Sequence, residues 1–448
     1  MVFTLELILT LFFAHKVWKE KDRARLILWF MTAMICLMPG FKVVKGTPPV
    51  NWLFPTLYFM RLLKDKEFLA SWKFFPLKYI YLVILLFHFV QPLFVKFTTY
   101  GSTYFNIIQY VMTSLFYIFI GYSMRSDYKK VLTHRNWIYL LIVLLFGIGV
   151  ISKFLNYNIL TNQLYTDTIW GADNAFSDRG FRVTGTQSSP NIFGFINVFL
   201  VICLLFIHDV KRTRLFFGIL CFVNIINSGT RAPFVGLLLV LMLYFVFGHV
   251  RVLFRSLIPM TFAFFLCSPV LMKYQTSSSM IMGVADIFMT GGENTTGSST
   301  ELRERQMAVA TYFADSHPYI GSGNGFCNSI QNEDSSLHIY YDSDLAGAEG
   351  YIFYVLIDYG YVYFVLVIFF GVSLLFILFT GLFKDKELAS FGLLLLFALV
   401  SHLITSRPNN SWQIFLPFLG MVLWNLQKTC RSVSSLSRPV TSRRLLPR

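Results

Sequence analysis

Thirteen apolar runs of membrane-crossing length divide this chain, and they leave it few ways to fold. They fall at about 2 to 15, 25 to 40, 47 to 63, 75 to 95, 104 to 124, 136 to 156, 190 to 208, 213 to 228, 231 to 248, 252 to 271, 361 to 383, 388 to 405 and 411 to 427. A bilayer core of about 30 Å is crossed by roughly 20 apolar residues in a helix. With no water there to satisfy backbone polar groups, such runs must be helical. The expected fold class is an all-α polytopic integral membrane protein of about 12 to 13 transmembrane helices, with a large outer loop containing short helices. Composition agrees: 55% of residues are hydrophobic and only 14% charged, which excludes an ordinary soluble domain. The net charge of +15 carries no basic stripe with interleaved stacking aromatics, so no nucleic-acid partner is expected.

Lys and Arg near span ends mark the cytoplasmic side. Alternating the spans puts most of the 38 on one side, among them Lys16 to Arg25, Lys64, Lys66, Arg125 to Arg135, Lys211 to Arg214, Arg251, Lys384 and Lys386. The predicted organisation is then N-terminal spans over 1–156, a first outer loop over 157–189, central spans over 190–271, a large outer loop over 272–350, C-terminal spans over 351–427 and a basic cytoplasmic tail over 428–448. Ser228 to Arg231 is too short to be anything but a reversal. The six cysteines are scattered singly, so neither a disulfide framework nor a metal site is expected. The first apolar run lacks a preceding basic region, and no cleavable signal peptide is expected.

A long outer loop in such a chain is where soluble chemistry can occur. Ser298-Ser-Thr-Glu301 reads as a capping box opening a helix that runs to about Ser316, where His317 and Pro318 stop it. Leu302, Val309, Ala310 and Phe313 would form its apolar stripe, flanked by Arg303 and Arg305, both able to face whatever the helix covers. Gly321, Gly323 and Gly325 predict a flexible turn after it.

The arginines on the outer side are Arg179, Arg182, Arg231, Arg303, Arg305 and Arg407. Several cations converging at a membrane face point to an anionic ligand, and the planar guanidinium binds phosphate oxygens in pairs. A lipid-linked pyrophosphate is the natural anion at that depth. Against this stands the plain alternative of interfacial anchoring, or pairing with a carboxylate such as Asp178 or Glu304. Arg231, in Asn227-Ser-Gly-Thr-Arg231, has no acidic neighbour in sequence.

Four motifs now line up in order. They are Arg182-Val-Thr-Gly-Thr-Gln-Ser-Ser-Pro-Asn191-Ile-Phe-Gly194, Ser228-Gly-Thr-Arg231, Arg303 through His317-Pro-Tyr-Ile-Gly-Ser-Gly-Asn-Gly-Phe326, and Glu349-Gly-Tyr through Gly360. Over the chain from Arg182 onward this resembles the O-antigen polymerase and O-antigen ligase superfamily. The resemblance implies a GT-C-like membrane glycosyltransferase at the periplasmic face of the bacterial inner membrane. Its donor and acceptor would be undecaprenyl pyrophosphate-linked oligosaccharides held among membrane lipid. Transfer would be inverting, with no metal and no cofactor, and a chain-length regulator protein is an implied partner. The family's pyrophosphate-binding arginines carry over to Arg182, Arg231 and Arg303, with Arg305 as the alternative to the last. Arg179, Arg305, Asn191, His317, His338 and Tyr312 complete the implied substrate-binding set.

The ligase branch of that family carries a histidine where Glu349 stands here. This departure favours polymerase over ligase and makes Glu349 a candidate base for the acceptor hydroxyl, beside the alternative of a carboxylate at a helix N-terminus. His338 is the rival base, and His317 serves either as helix stop or as a substrate contact. Asp358 is expected to bond backbone or a tyrosine rather than react, and the tyrosines near the loops to form an interfacial belt. A lipid-linked oligosaccharide flippase is the third reading; it would place ionisable groups or broken helices at mid-membrane, where only His88, Asn224 and His402 stand out.

Overall fold

The computed structural model describes residues 2–37, 53–95, 116–164, 176–177, 180–248, 286, 300–330, 350–405 and 411–436. Each apolar run within these becomes helix. The first three are α1 (Val2–Lys19), α2 (Arg23–Cys36) and α3 (Leu53–Lys64), followed by α4 (Glu67–Phe74) and α5 (Lys78–Phe94). Next come α6 (Phe116–Met124), α7 (Tyr128–Thr133), α8 (Arg135–Leu155) and α9 (Ile159–Leu164). A two-residue antiparallel pair, β1 (Phe176–Ser177) with β2 (Gly180–Phe181), precedes α10 (Pro190–Phe206), α11 (Lys211–Asn227) and α12 (Arg231–Gly248). The outer segment supplies α13 (Thr300–Ser316) and α14 (Phe326–Ile330). The rest is α15 (Tyr351–Tyr354), a π-helical turn over Val355–Tyr359, α16 (Gly360–Gly381), α17 (Lys386–Thr405) and α18 (Ser411–Leu436). The run expected at 252 to 271 lies outside the described residues.

Among the described residues, three stretches are long and apolar enough to cross a membrane: α8, the continuous run Tyr351–Gly381, and α17. A fourth is added if α4 and α5 count as one span, though they meet at 107°. That break has a local cause. Phe75 precedes Pro76 and adopts an extended conformation, φ −66° and ψ 121°, as the proline ring requires of its predecessor. The span expected at 75 to 95 is therefore α5 alone, with α4 turned away from it. The last helix also differs from expectation: it continues to Leu436, past the end near 427 expected from hydropathy.

The interior is built around α10, whose residues are buried almost without exception, with α17 and α18 against it. Backbones approach closely where α6 crosses α18. A side chain at Gly121 would collide with the Pro417 backbone, and one at Gly420 with the Ile118 carbonyl and the Tyr122 amide. Small residues of this kind are what allow apolar helices to touch without a hydrophobic driving force between them. A second, smaller core joins Ala310, Phe313 and Ala314 of α13 to Cys327, Phe353 and Ile357, so the outer helix is seated on the π turn by its own apolar cluster.

The polar contacts sort the molecule into two ends. At one end Arg23 pairs with Glu67 at 2.9 Å, Lys130 with Asp22 at 2.9 Å and Arg135 with Asp209 at 3.1 Å. Asp22 also caps α2 by accepting from the Ala24 amide. Hydrogen bonds from Lys130 to Asp22, and from the Tyr139 hydroxyl to Asp209, hold both carboxyls below the usual range. The segments that charge alternation puts outside are packed in two assemblies, and there the candidate site is sought.

Candidate functional site

The stretch Arg182–Gln187 is held by Asn158 just before α9, by Thr161 of α9 and by a backbone carbonyl of α2. Asn158 donates to the Arg182 carbonyl and accepts from the Thr184 amide, each at 3.0 Å. Thr161 bonds the Thr184 hydroxyl at 2.6 Å and donates to the Gln187 carbonyl at 3.2 Å. Thr186 and Gln187 both reach the Ile35 carbonyl at the end of α2. Gly185 turns the chain at φ +60° with the Phe193 ring packed where a side chain would be. A loop with so many buried polar contacts has one conformation to offer a ligand.

That loop is tied to the reversal carrying Arg231. The Val183 amide donates to the Asn227 carbonyl at 3.1 Å, which sets Arg182, half-buried, one residue from a direct link to the α11 to α12 turn. The turn itself is closed by Ser228, whose hydroxyl bonds the Ile225 carbonyl at 2.6 Å and lies 2.9 Å from that of Thr230. Gly229 supplies the positive φ, and Arg231 opens α12 with 9% of its surface exposed. Ser189 caps α10 over Pro190 and Asn191, a proline at the first helical position being favoured there. Gly194, a turn further on, lets Pro233 of α12 pack directly against α10.

Arg303 belongs to the second assembly. On α13 it is half-buried and donates to Gln306 at 2.8 Å, while Arg305 lies on the exposed face. Ala310 and Phe313 of the expected stripe lie in the seam with Gln306 and Ala314, and Val309 packs beside it, but the two flanking arginines do not share the buried side. The glycine loop after the helix is no flexible turn. Gly321, Gly323 and Gly325 all have positive φ, and the loop is docked on the π turn. Ser322 donates to the Ile357 carbonyl at 2.9 Å and Gly323 to that of Asp358 at 3.0 Å. The Asp358 carboxylate accepts the amides of Gly325 at 2.9 Å and Cys327 at 2.7 Å, as expected of a group that bonds backbone. Gln91 of α5 donates to both the Ile320 and Asp358 carbonyls, at 2.6 and 2.7 Å. Two of the carbonyls that receive these bonds, those of Ile357 and Asp358, belong to the π turn.

The end of α17 lies between the two assemblies. The Ile404 carbonyl is beside Gly350, and the His402 ring packs against Phe195 of α10 with centroids 4.6 Å apart. His317 and Tyr312 are exposed on or just past α13, and Asn191 is buried at the start of α10. Arg179, Arg407, His338 and Glu349 lie outside the described residues. Sequence reasoning passed over Asn158, Thr161 and Gln91. Gln91 carried a signal, as a polar residue set among apolar ones where an unpaired group is costly, whereas Asn158 and Thr161 lie in a polar stretch that gave none. Among the described residues no three His, Cys, Asp or Glu gather as a metal-ligand set. The chain matches no known family model and no characterised protein.

Proposed function

We propose that this protein is a polytopic inner-membrane glycosyltransferase of the O-antigen polymerase type. It transfers a growing glycan from undecaprenyl pyrophosphate to the end of a second lipid-linked repeat unit at the periplasmic face. The observation that carries the reading is the hydrogen bond from Val183 to Asn227, which brings the Arg182 loop to the Arg231 turn. The segments that bear Arg182 and Arg231 are thus tied by backbone, and binding one diphosphate between the two guanidinium groups needs such a frame. Preorganised donors of this kind stabilise the charge that grows on a leaving pyrophosphate without having to reorganise. Arg303, on α13 in the second assembly, is taken as the third member, and Glu349 as the acceptor base. The order of the four motifs supports the superfamily, and the glutamate in place of the ligase histidine favours polymerase over ligase.

The break between α4 and α5 would fit a transporter, yet it lies at the end where Arg23 pairs with Glu67. Gln91 near the other end of α5 is engaged in holding the outer loop. Surface chemistry accounts for both better than passage does.

The test is reconstitution with purified lipid-linked repeat units, read as a ladder of products. Arg182→Ala, Arg231→Ala and Arg303→Ala should each reduce turnover by about a hundredfold or more, the loss seen when a preorganised oxyanion donor is removed. Wild-type ladder intensity in all three variants would sink the assignment.

A further inference from the structure

His402 is the buried group with no evident use in this scheme. It lies in the last turn of α17 with none of its surface exposed, and neither ring nitrogen has a hydrogen-bond partner among the described residues. An unpaired polar atom in the interior is costly, and most native ones have a specific explanation. A phenylalanine would fill the same space at no such cost.

The surroundings place this imidazole at the level of the candidate site. Its neighbour Phe195 is one turn below Asn191 on α10 and lies against Gly236, five residues into α12 from Arg231. At 1.5 Å per residue these positions lie about one to one and a half helical turns from Asn191 and Arg231. Asn191 too is buried, and its Oδ1 accepts no hydrogen bond among the described residues. Two side chains with unmet polar atoms therefore lie close to where α10, α12 and α17 pack together.

We infer that His402 is a ligand-contacting residue, meeting a hydroxyl of the bound glycan rather than any group of the protein. The chemistry selects a hydroxyl over a phosphate oxygen. An uncharged imidazole offers one donor and one acceptor, and a hydroxyl answers both, whereas a diphosphate oxygen only accepts and is served by arginine. The inference rests on the glycosyltransferase reading and adds to it the residue that senses the sugar.

The experiment pairs stability with turnover on the full-length protein. His402→Phe keeps the ring shape and removes the unmet polar atoms, so its unfolding temperature should equal or exceed that of wild type. Its kcat/KM on lipid-linked repeat units should fall at least about tenfold, the worth of one hydrogen bond. His402→Asn, which restores a donor and an acceptor, should recover most of that loss. A His402→Phe protein that melts early or fails to fold would mean that the ring is held by the protein itself, and would overturn the inference. Full turnover in His402→Phe alongside lost turnover in Arg231→Ala would remove His402 and leave the glycosyltransferase reading intact. A wild-type protein that builds no ladder would remove both.

Discussion

Asp358 is the residue on which the outer assembly hangs. Its two carboxylate oxygens serve different amides, Gly325 and Cys327, and the second of these opens α14. Replacing it by alanine strands both amides in a buried place, at about 1–3 kcal/mol each. The expected result for Asp358→Ala is faster hydrogen exchange over 321–330 with the membrane core little changed; unchanged exchange there would contradict the arrangement. The sequence indicated that Asp358 would bond backbone, because a carboxylate beside apolar residues must find donors. It could not indicate which backbone. Gln91 and Ile320 are 229 positions apart, and no local pattern encodes a contact of that range. Arg305 illustrates the opposite error: helical periodicity put it beside the apolar stripe, and the turn of α13 needed to seat Gln306 and Phe313 put it outside.

Elements with local causes were the legible ones. The Ser298–Glu301 pattern predicts a helix over the first turns after it, and α13 begins at Thr300 and ends at Ser316, ahead of the Pro318 stop. The Ser228–Arg231 reversal was legible for the same reason, since two spans left only that many residues to join them. Helix contacts were less so. That α6 and α18 would cross at Gly121 and Gly420 depends on which helices become neighbours, and hydropathy is silent on that. The crossing yields a prediction at its own scale. Gly420→Leu would force apart backbones already in contact, with backbone atoms, unlike flexible side chains, unable to give way. It should therefore abolish folded, detergent-extractable protein. Gly218, which faces open space on α11, should accept the same change with little effect on yield. Equal yields from the two variants would mean that the helices do not cross there.

Across the whole molecule, charge alternation along the chain is matched by segregation of contacts in space. Arg23, Lys130 and Arg135 find their carboxylates at one end, while Lys153 donates to the Phe181 carbonyl beside the Arg182 loop at the other. Exposed pairs of this sort contribute little stability singly, so their value is as a record of which segments share a side. In a background without other cysteines, Lys129→Cys and Tyr319→Cys, both exposed positions, should react with an impermeant maleimide from opposite faces of sealed vesicles. Reaction from one face would break the two-ended arrangement and, with it, the placing of the arginines on a single side.

The π turn at Val355–Tyr359 sets the angular phase of everything that precedes it. Such a turn holds one residue more than a regular one, and each residue of a helix swings its neighbours through about 100°. Excising one position there would produce a straighter, better-bonded rod that aims its upper portion away from α13. Length changes that surface loops absorb freely are therefore barred at this point, and the irregularity that weakens the rod is what lets its two halves look in the directions the molecule needs.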